Sequence, residues 1–517
     1  MGNNTLQNIT VAAPGFLGLN TEESPIGGNP AFAAVADNCV IDKLGRVAAR
    51  KGYEELTTNG STVLGTSVGL ESCFEFVSRT GVTTVFSAGN NKLFSGTTTL
   101  VECTLPSGYT INDNNWKVVS FNNDVYFFQT GHQPLESVGG STTLTLLQSS
   151  GSNLPPEGNE VLAAFGRIWT CDLVNNKYTI YWSDFLNGAD WHGGGSGSIN
   201  LTEVWPTGYD EVVSLAEHNG FLIVFGKRNT IIFKGADSPA NDLAVEDTIE
   251  GVGCIARDSV QSTGSDLFFL SNRGVMSLGR LIQEKSLPLM DISKNVRSDI
   301  LKTLTEETEV NGVRTKIKAI YSPIEAFYLL TFPESKLVYC FDLKQPLENG
   351  AYRATTWTSI QPVSFCLFAN DLLVMGHKTG IVKYAGFLDG NLSYQLRYFS
   401  PPLDFENTSN LKFLKKFNVT IIGGTNTATT LNWGYDYTTS FTKQTFDFGT
   451  DAVVAEYGIA EFNTAEAQYT SSIVINTPKV NTTGGGEVVT IGLEAQINGS
   501  QFSIQRIDIH ALLGRLI

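Results

Sequence analysis

Charge is scarce in this sequence. Asp, Glu, Lys and Arg make up 17% of its 517 residues, whereas aromatics make up 11%. A disordered chain would be rich in charge and poor in aromatics, so disorder is excluded. Basic residues are the scarcer sign, 35 Lys and Arg against 51 Asp and Glu, for a net charge of −16. A general nucleic-acid binder needs a phosphate-neutralising surface, so this balance argues against one. It leaves open a protein that nucleic acid slides past, and net charge kept for solubility. No C-x-x-C occurs. The seven cysteines, at 39, 73, 103, 171, 254, 340 and 366, are odd in number and widely spaced. Buried free thiols are expected rather than a disulfide framework or a zinc site. The five histidines, His132, His192, His218, His377 and His510, show no close ligand spacing, so no metal is expected. Long apolar runs are absent too: Phe221-Leu222-Ile223-Val224-Phe225 is strand-sized, and nothing approaches a membrane span. No basic residue precedes Lys43 and no apolar leader core is visible, so no secretion signal is expected. Leu6 stands where a myristoylation signal wants Ser or Thr. The Asn-x-Ser/Thr sequons, at Asn200 and Asn418 among others, read as chance without a signal peptide.

What the chain does have is 51 Gly, 31 Phe and 17 Tyr, with only 17 Pro and 4 Met. This is the texture of many short strands joined by tight turns. Residues 1–55 read as an N-terminal arm, punctuated by Pro14-Gly15 and Gly27-Gly28. Asn29-Pro30 offers a helix cap followed by proline at the first helical position, so a short helix is expected over Ala31–Asn38. Val40–Val47 reads as a hairpin around Gly45. Residues 1 to about 30 show no core of their own, and Phe16, Leu17 and Leu19 would be ordered by partner or self contacts.

From 56 to 390 the texture repeats. Seven units of strand, polar Gly or Asn turn and second strand begin near Ser72, Trp116, Val161, Val212, Asp258, Lys316 and Val363. That spacing suits four-stranded propeller blades. His218–Gly226, Gly264–Leu270 and Ala369–Gly376 share one local grammar of turn, continuous apolar strand and small residue. Continuous apolar strands are buried on both faces, as in inner blade strands. The alternative is a β-sandwich, but a closed ring leaves only short edges. The expected fold is all-β: a β-propeller of six to seven blades with a C-terminal β-sandwich platform and the N-terminal arm. Ile292, Val296, Ile300, Leu301 and Leu304 follow a 3.6-residue period, predicting one inserted helix near 292–304 capped by Ser293. Pro401-Pro402 marks the passage to the last unit, 391–517, where strands such as Phe417–Ile422 and Glu487–Leu493 are longer. Thr482–Gly486 reads as a turn or mobile loop.

A propeller raises the possibility of a glycan-cleaving enzyme, which needs paired carboxylates at the central mouth. Asp184, Asp190 and Asp210 are the available candidates. Ser183–Trp191 partly resembles the Asp-box of sialidases: Gly188 and Trp191 are correctly spaced, while Ser183 and Asp184 are out of register. That box is a structural turn in any case. The sequence has no phosphate-binding Walker loop and no G-x-S-x-G, and Gly193–Gly197 reads as a flexible loop. Lys415-Lys416 is a minimal basic spot, read as a solvated strand end. No catalytic, cofactor-binding or metal-binding residue is assigned, and no cofactor is expected.

Two segments carry a family resemblance. The arm, with Gly18-Leu19-Asn20, Ala36-Asp37-Asn38, Asp42, Gly45 and Arg50-Lys51-Gly52-Tyr53, resembles the opening of structural proteins in short-tailed bacteriophages. Gly166-Arg167-Ile168-Trp169, Ile180–Asp184, Asp190-Trp191 and the strand Leu222–Phe225 resemble the propeller of tail nozzle proteins, also called tail tubular protein B or the tail hub. The terminal Gln501–Asp508 and Gly514-Arg515 are similar to the end of the same group. The motifs cover about a fifth of the chain, and their order is the stronger signal. The resemblance implies a virion protein of the viral tail. Its chains would form a homo-hexameric ring below the portal, meeting tail adaptor or head-to-tail connector proteins, with tail fibres or tailspikes as further candidate partners. Duplex DNA would pass through the lumen without specific binding. It carries no catalytic residues. The chain is shorter than the longer members, which implies loss of an inserted nozzle-tip domain. Two other functions stay open: a virion-associated propeller glycan hydrolase, and a glycan-binding receptor module.

Overall fold

In the computed structural model the described residues are 6–24, 28–148, 154–206, 208–237, 242–279, 291–309, 313–449 and 474–516. Gly27 and the Met1-Gly2 start lie outside them. The regular structure is almost wholly β, and the chain folds as a β-propeller. Among the described residues there are six four-stranded antiparallel units and one three-stranded unit. Their first strands are Ser72–Val77, Lys117–Phe121, Gly158–Ala164, Val212–His218, Gln261–Ser262, Lys318–Ser322 and Ser364–Phe368. These first strands lie side by side around the centre, and Ser364–Phe368 returns to touch Ser72–Val77. The shared turn grammar has a backbone cause. Asn90, Asn91, Asn122, Asn123, Asn219 and Asn370 all take positive φ at strand-to-strand turns, a conformation that Asn tolerates better than most residues.

The last unit closes the ring in a way its own sequence does not announce. Ser364–Phe368, Leu372–His377 and Gly380–Tyr384 supply three strands, and Tyr53–Glu55 from the N-terminal arm supplies the fourth. Gly52 makes the approach feasible, since a Cβ there would sit 1.8 Å from the Leu388 carbonyl oxygen.

The expected helix over Ala31–Asn38 is absent. Phe32–Ala33 and Val35–Asp37 are strands. Asn29 does act as a cap, accepting the Ala31 N–H at 3.0 Å, but it caps a single turn. Val35–Asp37 is then held between Arg353–Trp357 on one side and Tyr394–Phe399 on the other. Backbone partners on both edges outweigh the local helix signal. The Cys39–Ile41/Val47–Ala49 hairpin forms as expected, with Gly45 at φ 73°.

The inserted helix is present, with a 3-10 turn at Lys294–Val296 leading into Arg297–Glu306. Its expected cap is not used. Ser293 Oγ instead accepts the Val275 N–H at 3.0 Å and donates to Asp291 Oδ1 at 3.1 Å, which ties the helix start to a blade. Ile292, Val296, Ile300 and Leu304 are buried, as their period requires.

The C-terminal unit is a sandwich of two sheets. One contains Asn410–Gly423, Phe502–Leu516, the arm hairpin and Leu6–Ala12, which runs antiparallel to Phe502–Leu516. The other contains Tyr394–Phe399, Val489–Ile497, Ala428–Tyr435 and Thr442–Asp447. Through Val35–Asp37 this second sheet is continuous with the unit begun by Lys318–Ser322, giving nine strands in all. One apolar cluster runs from Phe268 and Tyr328 in the propeller to Phe417, Leu493 and Ile504 in the sandwich. The arm therefore has a core: Phe16 is fully buried and meets the Tyr398 ring edge-on, with centroids 6.0 Å apart. The expectation of an arm without one fails because its apolar residues are spread along several short strands whose partners lie hundreds of residues away.

Two Gly-rich segments are better fixed than expected. Gly195 donates to Asp184 Oδ1 at 2.6 Å, and its carbonyl accepts from Arg167 and Trp182. Gly486 exchanges backbone hydrogen bonds with Lys412 at 2.7 and 3.1 Å. Lys415-Lys416 lies within Asn410–Gly423 at a register shift, rather than at a strand end.

Candidate functional site in the central channel

The three candidate acids cap turns. Asp210 is buried and accepts backbone N–H groups from Glu211, Lys227, Arg228 and Asn229, together with the Asn229 amide. Asp184 accepts from Phe185 and Gly195. Asp190 accepts from His192 and Gly193, and these bonds hold its carboxyl below the usual range. Each carboxylate is thus committed to organising a loop. Among the described residues no group of three His, Cys, Asp or Glu is placed to hold a metal ion. His132 hydrogen-bonds to the Thr130 carbonyl, and His510 to Asn8 on the paired strand Leu6–Ala12. His377 is buried against Tyr53, and burial pushes its pKa down to about 4.

The charges that meet at the centre are others. Arg257 and Asp258 lie just before the inner strand Gln261–Ser262, and Lys117, Glu160 and Lys318 come from three other inner strands. Arg257 is the hub. Its Nη1 donates to the Asn159 carbonyl and side chain at 2.7 and 2.8 Å. Its Nη2 donates to Asn115 Oδ1 at 2.8 Å and Asp258 Oδ2 at 2.7 Å. Asp258 also receives Lys117 at 3.0 Å and Lys318 at 2.5 Å. Glu160 is 2% exposed; Lys117 is 3.6 Å and Arg257 3.8 Å from its Oε2, which has no hydrogen bond. The cluster joins the walls of the channel from the second to the sixth unit. A cleft of about 550 Å³ opens beside Lys117, Glu160, Phe165, Leu215 and Val260, and one of about 160 Å³ beside Cys73, Trp116, Lys318 and Phe365.

The two acids are pushed apart. Burial opposes ionisation of Asp258, but Arg257, Lys318 and Lys117 outweigh it and hold its carboxyl well below the usual range. For Glu160 burial wins over Lys117 and Arg257 and pushes the carboxyl up to about 7. A folded acid with a raised pKa binds a proton that the unfolded chain has released, so its stabilising contribution declines as pH rises from the unfolded value to the folded one. Glu160→Gln is therefore expected to be more stable than the parent chain at pH 8, with the advantage shrinking toward pH 5. Every tenfold change in proton affinity between the unfolded and folded chain is worth about 1.4 kcal/mol. Urea melts of both proteins at the two pH values measure it; a Gln variant less stable at pH 8 would show that the ion pairs win.

Sequence reading missed this cluster. Its residues come from four separate stretches of chain: Asn115 and Lys117, Glu160, Arg257-Asp258, and Lys318. The available signal was a charged residue beside an otherwise apolar inner strand, repeated in several units.

No family model and no curated protein matches the chain. Several solved structures resemble it weakly. "YCF48 bound to D1 peptide" is 12% identical over 62% of this chain and 93% of that one, with a TM-score of 0.37. The WD40 β-propeller domain of Doa1 is 11% identical over 62% and 95%, with a TM-score of 0.34. PorZ, a bacterial surface component of the type-IX secretion system of Porphyromonas gingivalis, is 11% identical over 64% and 41%, with a TM-score of 0.31.

Proposed function

We propose that the protein is a virion structural component, a nozzle ring of a short bacteriophage tail through which genomic DNA leaves. The ordered motifs of the arm, propeller and C-terminus motivate this reading. The structural observation that carries it is the nine-stranded sheet shared by propeller and sandwich, with one apolar core across them. A wall element must resist load, and two units locked through a common sheet suit that task better than two units on a hinge. The proposed assembly is a homo-hexamer located in the viral tail, meeting adaptor or connector proteins and tail fibres or tailspikes. It has no enzymatic activity. Each chain contributes −16, so a lumen of matching bias would repel phosphates and offer DNA no counterion release. Only charges within about 8 Å of the passing duplex matter at physiological salt.

The glycan-hydrolase reading has one observation in its favour. Glu160 is a protonatable acid at the wall of an open cleft, with an ionised Asp258 in the same cluster. Against it, both Asp258 oxygens are taken by cations.

Electron microscopy of the purified protein, its assembly mass and a degradation assay on bacterial glycans test the proposal together. A six-fold ring with a central hole, inert to glycan, is expected. A monomer that cleaves glycan, with activity lost in Glu160→Gln, would replace this reading with the enzyme; a monomer that binds glycan uncleaved would replace it with the receptor module.

A further inference from the structure

The seam where the ring closes carries a pair of cysteines from opposite ends of the propeller. Cys73 is on Ser72–Val77, the inner strand of the first unit, and Cys366 is on Ser364–Phe368, the inner strand of the last. The two strands touch. Side chains alternate along Ser364–Phe368: Phe365 and Leu367 pack into the apolar cluster shared by the sixth unit and the last. Ser364, Cys366 and Phe368 therefore share the other face. Ser364 Oγ donates to the Leu70 carbonyl at 2.6 Å, and Phe368 packs in the cluster that holds Leu70, Val85 and Cys73. That face is thus the one turned to the first unit, and Cys366 lies between its two contact points. Cys73 packs in that same cluster, so the two thiols sit on facing sides of the seam. Both are free thiols and only partly buried, and Cys73 lines the smaller channel cleft.

We propose that Cys73 and Cys366 form a redox-responsive site, oxidised by small-molecule disulfides to a bond that staples the first propeller unit to the last. The Cys73 thiolate attacks one sulfur of the small disulfide and displaces its first thiolate. The Cys366 thiolate then attacks the Cys73 sulfur and displaces the second. Two protein S–H bonds and one small-molecule S–S bond are consumed; one protein S–S bond and two small-molecule S–H bonds form. The reagent takes up the two electrons. The bond spans the seam otherwise closed by pairing of Tyr53–Glu55 with Gly380–Tyr384. It links residues 293 positions apart (366 minus 73), and so restricts the unfolded chain strongly. The neighbouring Cys366 thiol and burial push the Cys73 thiol up, so the reaction accelerates as pH rises.

The test treats the folded full-length protein with hydroxyethyl disulfide at pH 8.5, blocks residual thiols and digests without reduction. A peptide joining Cys73 to Cys366, a melting temperature raised by several degrees, and reversal of both by dithiothreitol are expected. Cys73→Ser and Cys366→Ser should each remove the cross-link. In Cys366→Ser, Cys73 should instead retain the mixed disulfide with the reagent, because its resolving partner is gone. If both thiols of the treated parent protein stay unreacted, if its Cys73 stops at the mixed disulfide, or if the cross-link lowers the melting temperature, the proposal is overturned.

Discussion

Asp389→Ala is expected to destabilise the protein by about 3–5 kcal/mol, the usual cost of leaving a buried charge without its partner. Arg50 is fully buried, and its Nη1 and Nη2 donate to the two Asp389 oxygens at 2.8 and 2.7 Å. Its remaining donors reach Asn38, Ser359 and the Lys51 carbonyl. The guanidinium lies 4.2 Å from the Tyr394 ring centre. Burial alone would lower the Arg50 pKa, but Asp389 and its neighbours outweigh it, so the charge stays. Removing the carboxylate takes from the guanidinium the acid that holds it by two hydrogen bonds. The pair joins the end of the arm to the chain that leaves the last propeller unit, so its loss should loosen ring closure and sandwich together. Denaturant unfolding measures the loss. Asp389→Asn keeps one acceptor and the shape, and should cost less. Equal midpoints for Asp389→Ala and the parent chain would show that the arm is not anchored there.

Asp258→Ala should be comparably severe, for a different reason. Asp258 is the common partner of Arg257, Lys117 and Lys318, and its removal leaves three cations gathered around one acid, Glu160. A loss of about 3–5 kcal/mol is expected at pH 7. The pH dependence separates this role from simple packing. The folded Asp258 pKa is depressed, so its contribution is present above the unfolded value near 3.9 and is lost as pH falls through the folded value. The parent chain should lose stability on that acid limb, and Asp258→Ala should lose less. Urea midpoints measured between pH 7 and pH 3 give the comparison. Parallel curves for the two proteins would mean that Asp258 contributes no ionic stabilisation.

Local pattern already determined much of this molecule. Alternation and turn chemistry act over a few residues, so the β class, the repeated units and the Gly45 hairpin are written in short stretches of sequence. The helix period of Ile292, Val296, Ile300 and Leu304 is equally local, and the helix formed where that period placed it. What the tertiary structure decided depends on partners distant in the chain. Asn29-Pro30 is a sound helix start, yet the following residues became strands because two edges from 353–357 and 394–399 were waiting for them. Tyr53–Glu55 became the closing strand of the ring only because Gly380–Tyr384 presents a free edge beside it. Asp184, Asp190 and Asp210 looked available as acids until the folded loops brought backbone N–H groups to them. Arg257, Asp258, Lys117, Lys318 and Glu160 come from separate stretches of the chain, and ring closure put them face to face. A buried charge cluster is a property of several strands converging on one axis, and no single strand's sequence carries it.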